Sequence, residues 1–205
     1  MRAMTKPTQN MQIIGLTGSI GMGKTTTADM FKQEGCPVFD ADRAVHELYA
    51  KDGEAVPLIR AVFPDAIKDG AVNRTVLAEH MRADPLNLGV LESFIHPMVG
   101  QKRAEFIETS RQSGADIIVF DVPLLFETGG EAHVDKIVLV TAPFAVQKQR
   151  VLARPGMTEA LFVTLLSRQM PDAEKRKRSD FIVFTDKGLD AAREQVQDIL
   201  HKLRH

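Results

Sequence analysis

The 205-residue chain has a single cysteine, no apolar run near the roughly 18 residues that a membrane-spanning helix needs, and almost no net charge. Each shortage excludes a class. Cys36 has no second cysteine to pair with, which rules out an internal disulfide framework and fits a reducing compartment. A net charge of −1, from 26 basic and 27 acidic residues, leaves no global field for nucleic acid or an anionic membrane. Any anionic ligand must then be met by locally placed cations. The six histidines form no zinc-ligand set with cysteines, His201 and His205 in the tail having no Cys-x-x-Cys to complete them, so no zinc site is expected. There is no internal repeat and no low-complexity tract. Residues 1–11 are polar, lack the apolar centre of a secretory signal and read as a flexible lead-in, which makes the cytoplasm the expected location. The hydrophobic fraction of 44% and charged fraction of 26% suit one globular domain with room for an inserted subdomain.

What the chain does have is a phosphate-binding loop. Gly18, Ser19, Ile20, Gly21, Met22, Gly23, Lys24 and Thr25 form the pattern of Gly, four residues, then Gly-Lys-Thr. An apolar run over 12–17 precedes it and reads as a strand. A helical stretch from Lys24 to about Glu34 follows, with Thr26 in its first turn and Gly35 as its cap. Glycines let backbone N–H groups turn inward onto phosphate oxygens, and the helix N-terminus adds its positive dipole end. Lys24 can reach the outer phosphates and the Thr25 hydroxyl can hold Mg²⁺. The loop therefore points to a nucleoside triphosphate.

Further apolar runs at Cys36–Phe39, Ile117–Phe120, Lys136–Val140 and Phe181–Phe184 lack polar alternation, as strands covered on both faces do. With helices between them they predict an α/β fold, a parallel sheet between helical layers. Leu189, Ala192, Val196, Ile199, Leu200 and Leu203 recur as one stripe of a final helix. The stretch Ala41–Ala115 has little strand character and is cut by Pro57, Pro64, Pro85 and Pro97 into expected short helices. It exceeds what one crossover needs and reads as a helical insertion at about 43–115. A second, irregular stretch runs from Pro143 to Asp180. Cys36 reads as a packed thiol.

In an open parallel sheet, ligands sit beyond the carboxyl ends of the strands. Asp40 and Asp42 follow the second strand, and alternate residues of an extended segment would point the same way. Phosphoryl transfer needs a carboxylate to take the acceptor proton and another to organise Mg²⁺. Helix capping is the competing role for either aspartate. Asp121 ends its strand in the manner of a Mg²⁺-organising carboxylate. The residues after it, Pro123, Leu124 and Leu125 with Phe126, read as core packing, with an apolar wall for a substrate as the alternative. Arg150 and Arg154, four apart, suit one face of a lid helix that clamps phosphoryl charge. The run Lys175–Arg178 reads as a solvated face.

Together these strings resemble the dephospho-coenzyme A kinase family. The resemblance rests on the phosphate loop, Phe39-Asp40-Ala41-Asp42, Asn73-Arg74, Leu91 to Pro97, Pro123-Leu124-Leu125-Phe126-Glu127, Gln147 with Arg150 and Arg154, Gln169 and Asp180. It implies a three-layer P-loop kinase core over 12–205, with an acceptor-binding insertion and a lid at about 145–178. It implies transfer from ATP, with Mg²⁺, to the ribose 3′-hydroxyl of dephospho-coenzyme A. Asp42, Lys24 and Arg150 would serve catalysis. Gly18 to Thr26 with Arg154 would hold ATP, and Thr25 with Asp121 would hold Mg²⁺. Asp40, Arg74, His96, Pro123, Leu124 and Leu125 would meet the acceptor. Ser19 and Met22 depart from the Gly and Ser usual in the family, at positions where backbone groups bind phosphate. A nucleoside monophosphate kinase would share the arginines but not the Pro-Leu-Leu-Phe-Glu string. A GTP-binding switch would need Asn-Lys-x-Asp, which is absent, and the basic run lacks the interleaved aromatics of a nucleic-acid site.

Overall fold

The computed structural model describes residues 11–205, so the expected lead-in lies outside the described residues except for Met11. By backbone contacts the chain divides into two compact units, one comprising 1–39 with 110–205 and the other Asp40–Thr109.

The first unit is built on a five-stranded sheet. Its strands are β1 (Gln12–Thr17), β2 (Val38–Asp40), β5 (Ile117–Asp121), β6 (Lys136–Thr141) and β7 (Phe181–Phe184), in the order β2-β5-β1-β6-β7. β1, β5, β6 and β7 are mutually parallel, so their carboxyl ends share one edge. The second strand starts two residues later than expected. Cys36 lies before it, but the thiol is buried in the core, which pushes its pKa up to about 11. The core explains the apolar runs. Ile14, Leu16, Val119, Val138, Val140 and Val183 pack from the sheet against Phe31 of α1 (Lys24–Gln33) and Val196 and Leu200 of α9 (Leu189–Arg204). The stripe on α9 is shorter than its periodicity predicts, because Leu189 in the first turn is exposed. The stretch from Pro143 to Asp180 is not irregular. It holds α6 (Phe144–Leu152), α7 (Glu159–Ser167) and α8 (Asp172–Arg178), the second capped by Thr158 accepting the Leu161 N–H at 3.2 Å.

The second unit has its own core of Leu48, Ile59, Phe63, Leu77, Leu91 and Ile95. It contains α2 (Ala41–Tyr49), α3 (Val56–Val62), α4 (Arg74–Ala83) and most of α5 (Leu86–Gln112). Between α3 and α4 sits a small hairpin of β3 (Ile67–Lys68) and β4 (Ala71–Val72). Asp69 and Gly70 turn it with φ of 52° and 80°, the left-handed pair a tight hairpin demands. The Asp-Gly dipeptide was the signal for it. Pro97 does not end a helix either. It lies within the 27 residues of α5, where Leu91 and Ile95 before it and Met98 and Val99 after it are held in this core. Packing on both sides offsets the hydrogen bond that proline removes. Among the described residues no helix is long and apolar enough to cross a membrane.

Candidate active site

At the carboxyl edge of the first unit, the loop after β1 folds as its glycines require. Gly21 and Gly23 have φ of 78° and 95°, which L side chains rarely adopt. A Cβ on Gly18 would stand 2.6 Å from the Val140 carbonyl oxygen, so only hydrogen fits against β6 there. The side chains of Ser19 and Met22 point into the protein, and the Met22 sulfur accepts the Ala142 N–H at 3.2 Å. Helix α1 starts at Lys24, so the N–H groups of its first turn, at Lys24, Thr25 and Thr26, have no intrahelical partner and are available to an anion. Thr25 and Thr26 are exposed. Two loop amides are already committed. The Ile20 N–H donates to Gln169 Oε1 at 3.2 Å, and the Met22 N–H donates to the Ser19 carbonyl at 3.1 Å. Ile20 and Met22 thus belong to the frame of the loop rather than to its free donors.

Lys24 Nζ is ion-paired with Asp121 Oδ1. β5 lies beside β1 with Leu16 opposite Asp121, and this register brings the carboxylate to the start of α1. The Thr17 hydroxyl donates to the Pro123 carbonyl at 3.3 Å, tying the two strand ends together.

A cavity of about 260 Å³ opens beside the loop, lined by Gly21, Gly23, Thr26, Arg150, Arg154 and Thr185 among others. Arg150 donates to Thr185 through both terminal nitrogens, NH1 to Oγ1 at 2.8 Å and NH2 to the carbonyl oxygen at 2.7 Å. The Thr185 hydroxyl donates to the Met22 carbonyl at 2.7 Å. The arginine is therefore linked to the phosphate loop through one threonine. Arg154 does not share a helical face with Arg150, because α6 ends at Leu152 and Arg154 stands in the following turn. Both still reach the same cavity.

The second unit holds the other candidates. Asp40 and Asp42 do not alternate along an extended segment. Asp40 is the N-cap of α2, its Oδ1 accepting the Arg43 N–H at 3.0 Å, whereas Asp42 lies inside the first helical turn and is exposed. The capping role thus goes to Asp40 and leaves the Asp42 carboxylate to solvent. Asn73 caps α4 by accepting the Thr75 and Val76 N–H groups. Arg74, the first residue of that helix, donates to the His46 ring, 2.7 Å from Nε2. His96 is exposed in mid-helix on α5.

Of the residues after β5, Leu124 is 40% exposed and Leu125 only 1%. Leu125 packs with Phe126 and Ile137, and a Cβ on Gly15 would stand 3.0 Å from its Cδ2, so Gly15 gives it room against the sheet. Its side chain serves packing, as composition predicts, and Leu124 is the one that presents apolar surface. Lys175–Arg178 is a solvated face only in its second half. Lys175 is fully buried against Glu127, and Arg176 bonds Asp172 at 2.6 Å. Lys177 and Arg178 are exposed as expected, the Arg178 guanidinium lying 4.8 Å from the centre of the Phe126 ring. Residue type alone cannot distinguish such a run from a surface one. Gln169 and Glu127 carry the only sequence signal, through the motifs that contain them. Asp180 bonds the Ile137 N–H at 2.8 Å and Lys136 at 3.0 Å, joining the starts of β6 and β7.

A family model described as dephospho-CoA kinase matches residues 12–191. The chain belongs to the dephospho-CoA kinase family. It is thereby a phosphotransferase that uses ATP, in a family that performs the final step of coenzyme A biosynthesis. The dephospho-CoA kinase of Agrobacterium fabrum is 51% identical over 193 residues, covering 94% of this chain and 98% of the relative. That of Ruegeria pomeroyi is 53% identical over 191 residues, covering 93% and 95%. The solved structure of TT1252 from Thermus thermophilus superposes with a TM-score of 0.77 at 33% identity, covering 95% of this chain and 98% of that one. The α/β parallel sheet expected from the strand pattern, and the P-loop kinase core that the resemblance implied, are thus the fold of the family.

Proposed function

We propose that the chain performs its family's reaction, moving the γ-phosphoryl group of ATP to the ribose 3′-hydroxyl of dephospho-coenzyme A, with the following division of labour. The loop from Gly18 to Thr26 cradles the phosphates, and Lys24 exchanges its contact with Asp121 for the outer phosphate oxygens. Arg150, with Thr185, shapes the nucleotide cavity. Arg154, on a turn free of such ties, clamps the transferring group at the lid formed by α6 and α7. Asp42 accepts the proton of the acceptor hydroxyl, which its exposed carboxylate can do because Asp40 caps the helix. Arg74 and Leu124 are the acceptor contacts best presented, one cationic and one apolar. Asp40 and His96 are further candidates of the same class.

Mg²⁺ fits this donor set. Among the described residues there is no cluster of carboxylates and histidines that would form a complete cage. One hydroxyl at Thr25 and one carboxylate at Asp121, completed by phosphate oxygens and water, is the arrangement Mg²⁺ favours. When bound it would neutralise phosphate charge. Localisation in the cytoplasm and the absence of a nucleic-acid partner belong to the same proposal, the first supported by the lone cysteine and the second by the balanced charge.

The observation that carries the reading is the family match over 12–191, which includes both the phosphate loop and the Asp40–Asp42 segment. The test is a coupled ADP-release assay with ATP, Mg²⁺ and a panel of dephospho-coenzyme A, nucleoside monophosphates and shikimate. ADP release is expected only with dephospho-coenzyme A. Turnover of another acceptor in its place overturns the proposal.

A further inference from the structure

Lys175 is the one lysine among the described residues whose side chain has no exposure at all, at 0%. Its Nζ lies 2.9 Å from Glu127 Oε1, so the two form a buried ion pair. Glu127 Oε2 is buried and makes no hydrogen bond with the described residues. Removing both charges from water costs several kcal/mol per ion in general, and the attraction between them seldom more than repays it. A pair of this kind is poor value as a source of stability, so its use must be sought in what it positions.

Glu127 Oε1 also accepts the Met170 N–H at 2.7 Å. The residue before Met170 is Gln169, whose Oε1 accepts the Ile20 N–H in the phosphate loop. From the other side Gln147 Nε2 donates to the Ile20 carbonyl at 2.8 Å. Ile20 is thus gripped at both its N–H and its C=O by two glutamine side chains. The far end of the 169–172 segment is pinned as well. Asp172 accepts from the fully buried Thr141 hydroxyl at 2.8 Å and from Arg176, one residue after Lys175. Burial acts to raise the Glu127 carboxyl, but Lys175 and the Met170 N–H outweigh it and hold its pKa below the usual value, so the Glu127 carboxylate stays ionised at neutral pH.

We propose that Lys175 and Glu127 are positioning residues for the nucleotide site: they fix the backbone at Met170 so that Gln169 holds the Ile20 peptide in the shape the phosphates require. This rests on the loop being the ATP site. The consequence is that the pair acts on ATP binding through Gln169 while touching neither substrate.

The experiment measures KM for ATP, kcat and Tm in the full chain. Gln169→Leu removes the acceptor for Ile20 at similar size and is expected to raise KM for ATP roughly three- to tenfold, with kcat and Tm little changed. The double variant Glu127→Leu with Lys175→Met removes both charges together, avoiding an unpaired buried ion, and is expected to raise KM in the same way. Adding Gln169→Leu to it should bring no further rise, because both act through one contact. Glu127→Gln with Lys175→Met restores an acceptor for the Met170 N–H and should recover most of the ATP affinity. Unchanged KM in Gln169→Leu, or effects that add in the triple variant, overturns the inference. If the double apolar variant fails to fold, Gln169→Leu decides alone. A wild-type chain without ATP-dependent turnover would instead remove the assignment on which the inference rests.

Discussion

Lys24 Nζ at the first residue of α1 is ion-paired with Asp121 Oδ1 at the last residue of β5, and both side chains are largely buried. Nucleotide phosphates would compete with Asp121 for this cation. The pairing holds the lysine close to the loop without leaving a buried charge uncompensated.

Lys24→Ala should lower turnover by several orders of magnitude, since it removes the cation built into the cradle. The fold should persist by circular dichroism, with a modest fall in Tm from the loss of a partner for Asp121. A folded variant turning over at nearly the wild-type rate would refute the assignment of the loop.

Asp40 and Asp42 should part company on substitution. Asp40→Ala removes the cap of α2 and is expected to cost about 1 kcal/mol of stability, read from denaturant melts. Asp42→Asn caps nothing and should leave the melt unchanged, while kcat falls at least about 100-fold if the carboxylate takes the acceptor proton. A stable Asp42→Asn protein with full activity moves the proton elsewhere.

Arg150 and Arg154 should also separate. Arg150→Ala breaks two bonds to Thr185 and loosens the wall of the nucleotide cavity, so KM for ATP is expected to rise. Arg154→Ala, in the turn after α6, is expected to lower kcat more than it weakens ATP binding. Initial-rate kinetics at varied ATP separates the two. Equal effects on both constants would argue against distinct roles.

Acid should unfold the protein through a small set of carboxylates. The Arg204 hydrogen bond holds Asp116 below its ordinary 3.8. At Asp180 and Glu127, whose ordinary values are 3.8 and 4.5, burial works upward but is outweighed. Asp180 is held down by the Ile137 N–H and Lys136, Glu127 by Lys175 and the Met170 N–H. A pKa depressed on folding contributes stability that is complete above the unfolded value and lost as pH falls through the folded one. Tm should therefore be flat from neutral pH down to about 5 and fall steadily below about 4.5. Arg204→Gln should flatten part of that fall, by a small amount because the pair is partly exposed. A Tm that rises on acidification would contradict the sign.

Much of this was legible along the chain. The apolar runs became the parallel strands because burial on both faces demands unbroken hydrophobicity, and β5, β6 and β7 lie within one residue of their expected ends. The hairpin at Ile67–Val72 and the passage of α5 through Pro97 were not read. Each strand of the first is only two residues long, and the second depends on packing that local propensity does not contain.

Sequence by itself determined the phosphate loop, since its glycines, Lys24 and Thr25 are contiguous and their backbone needs are local. It determined the family too, because the motifs occur in order along one chain. Tertiary structure decided the roles of residues whose partners are distant. It put Lys175 in the interior opposite Glu127 and set Gln147 and Gln169 on either side of Ile20. A hydrogen bond or ion pair depends on separation in space, and residue type says nothing of which partner from a distant part of the chain will arrive to complete it.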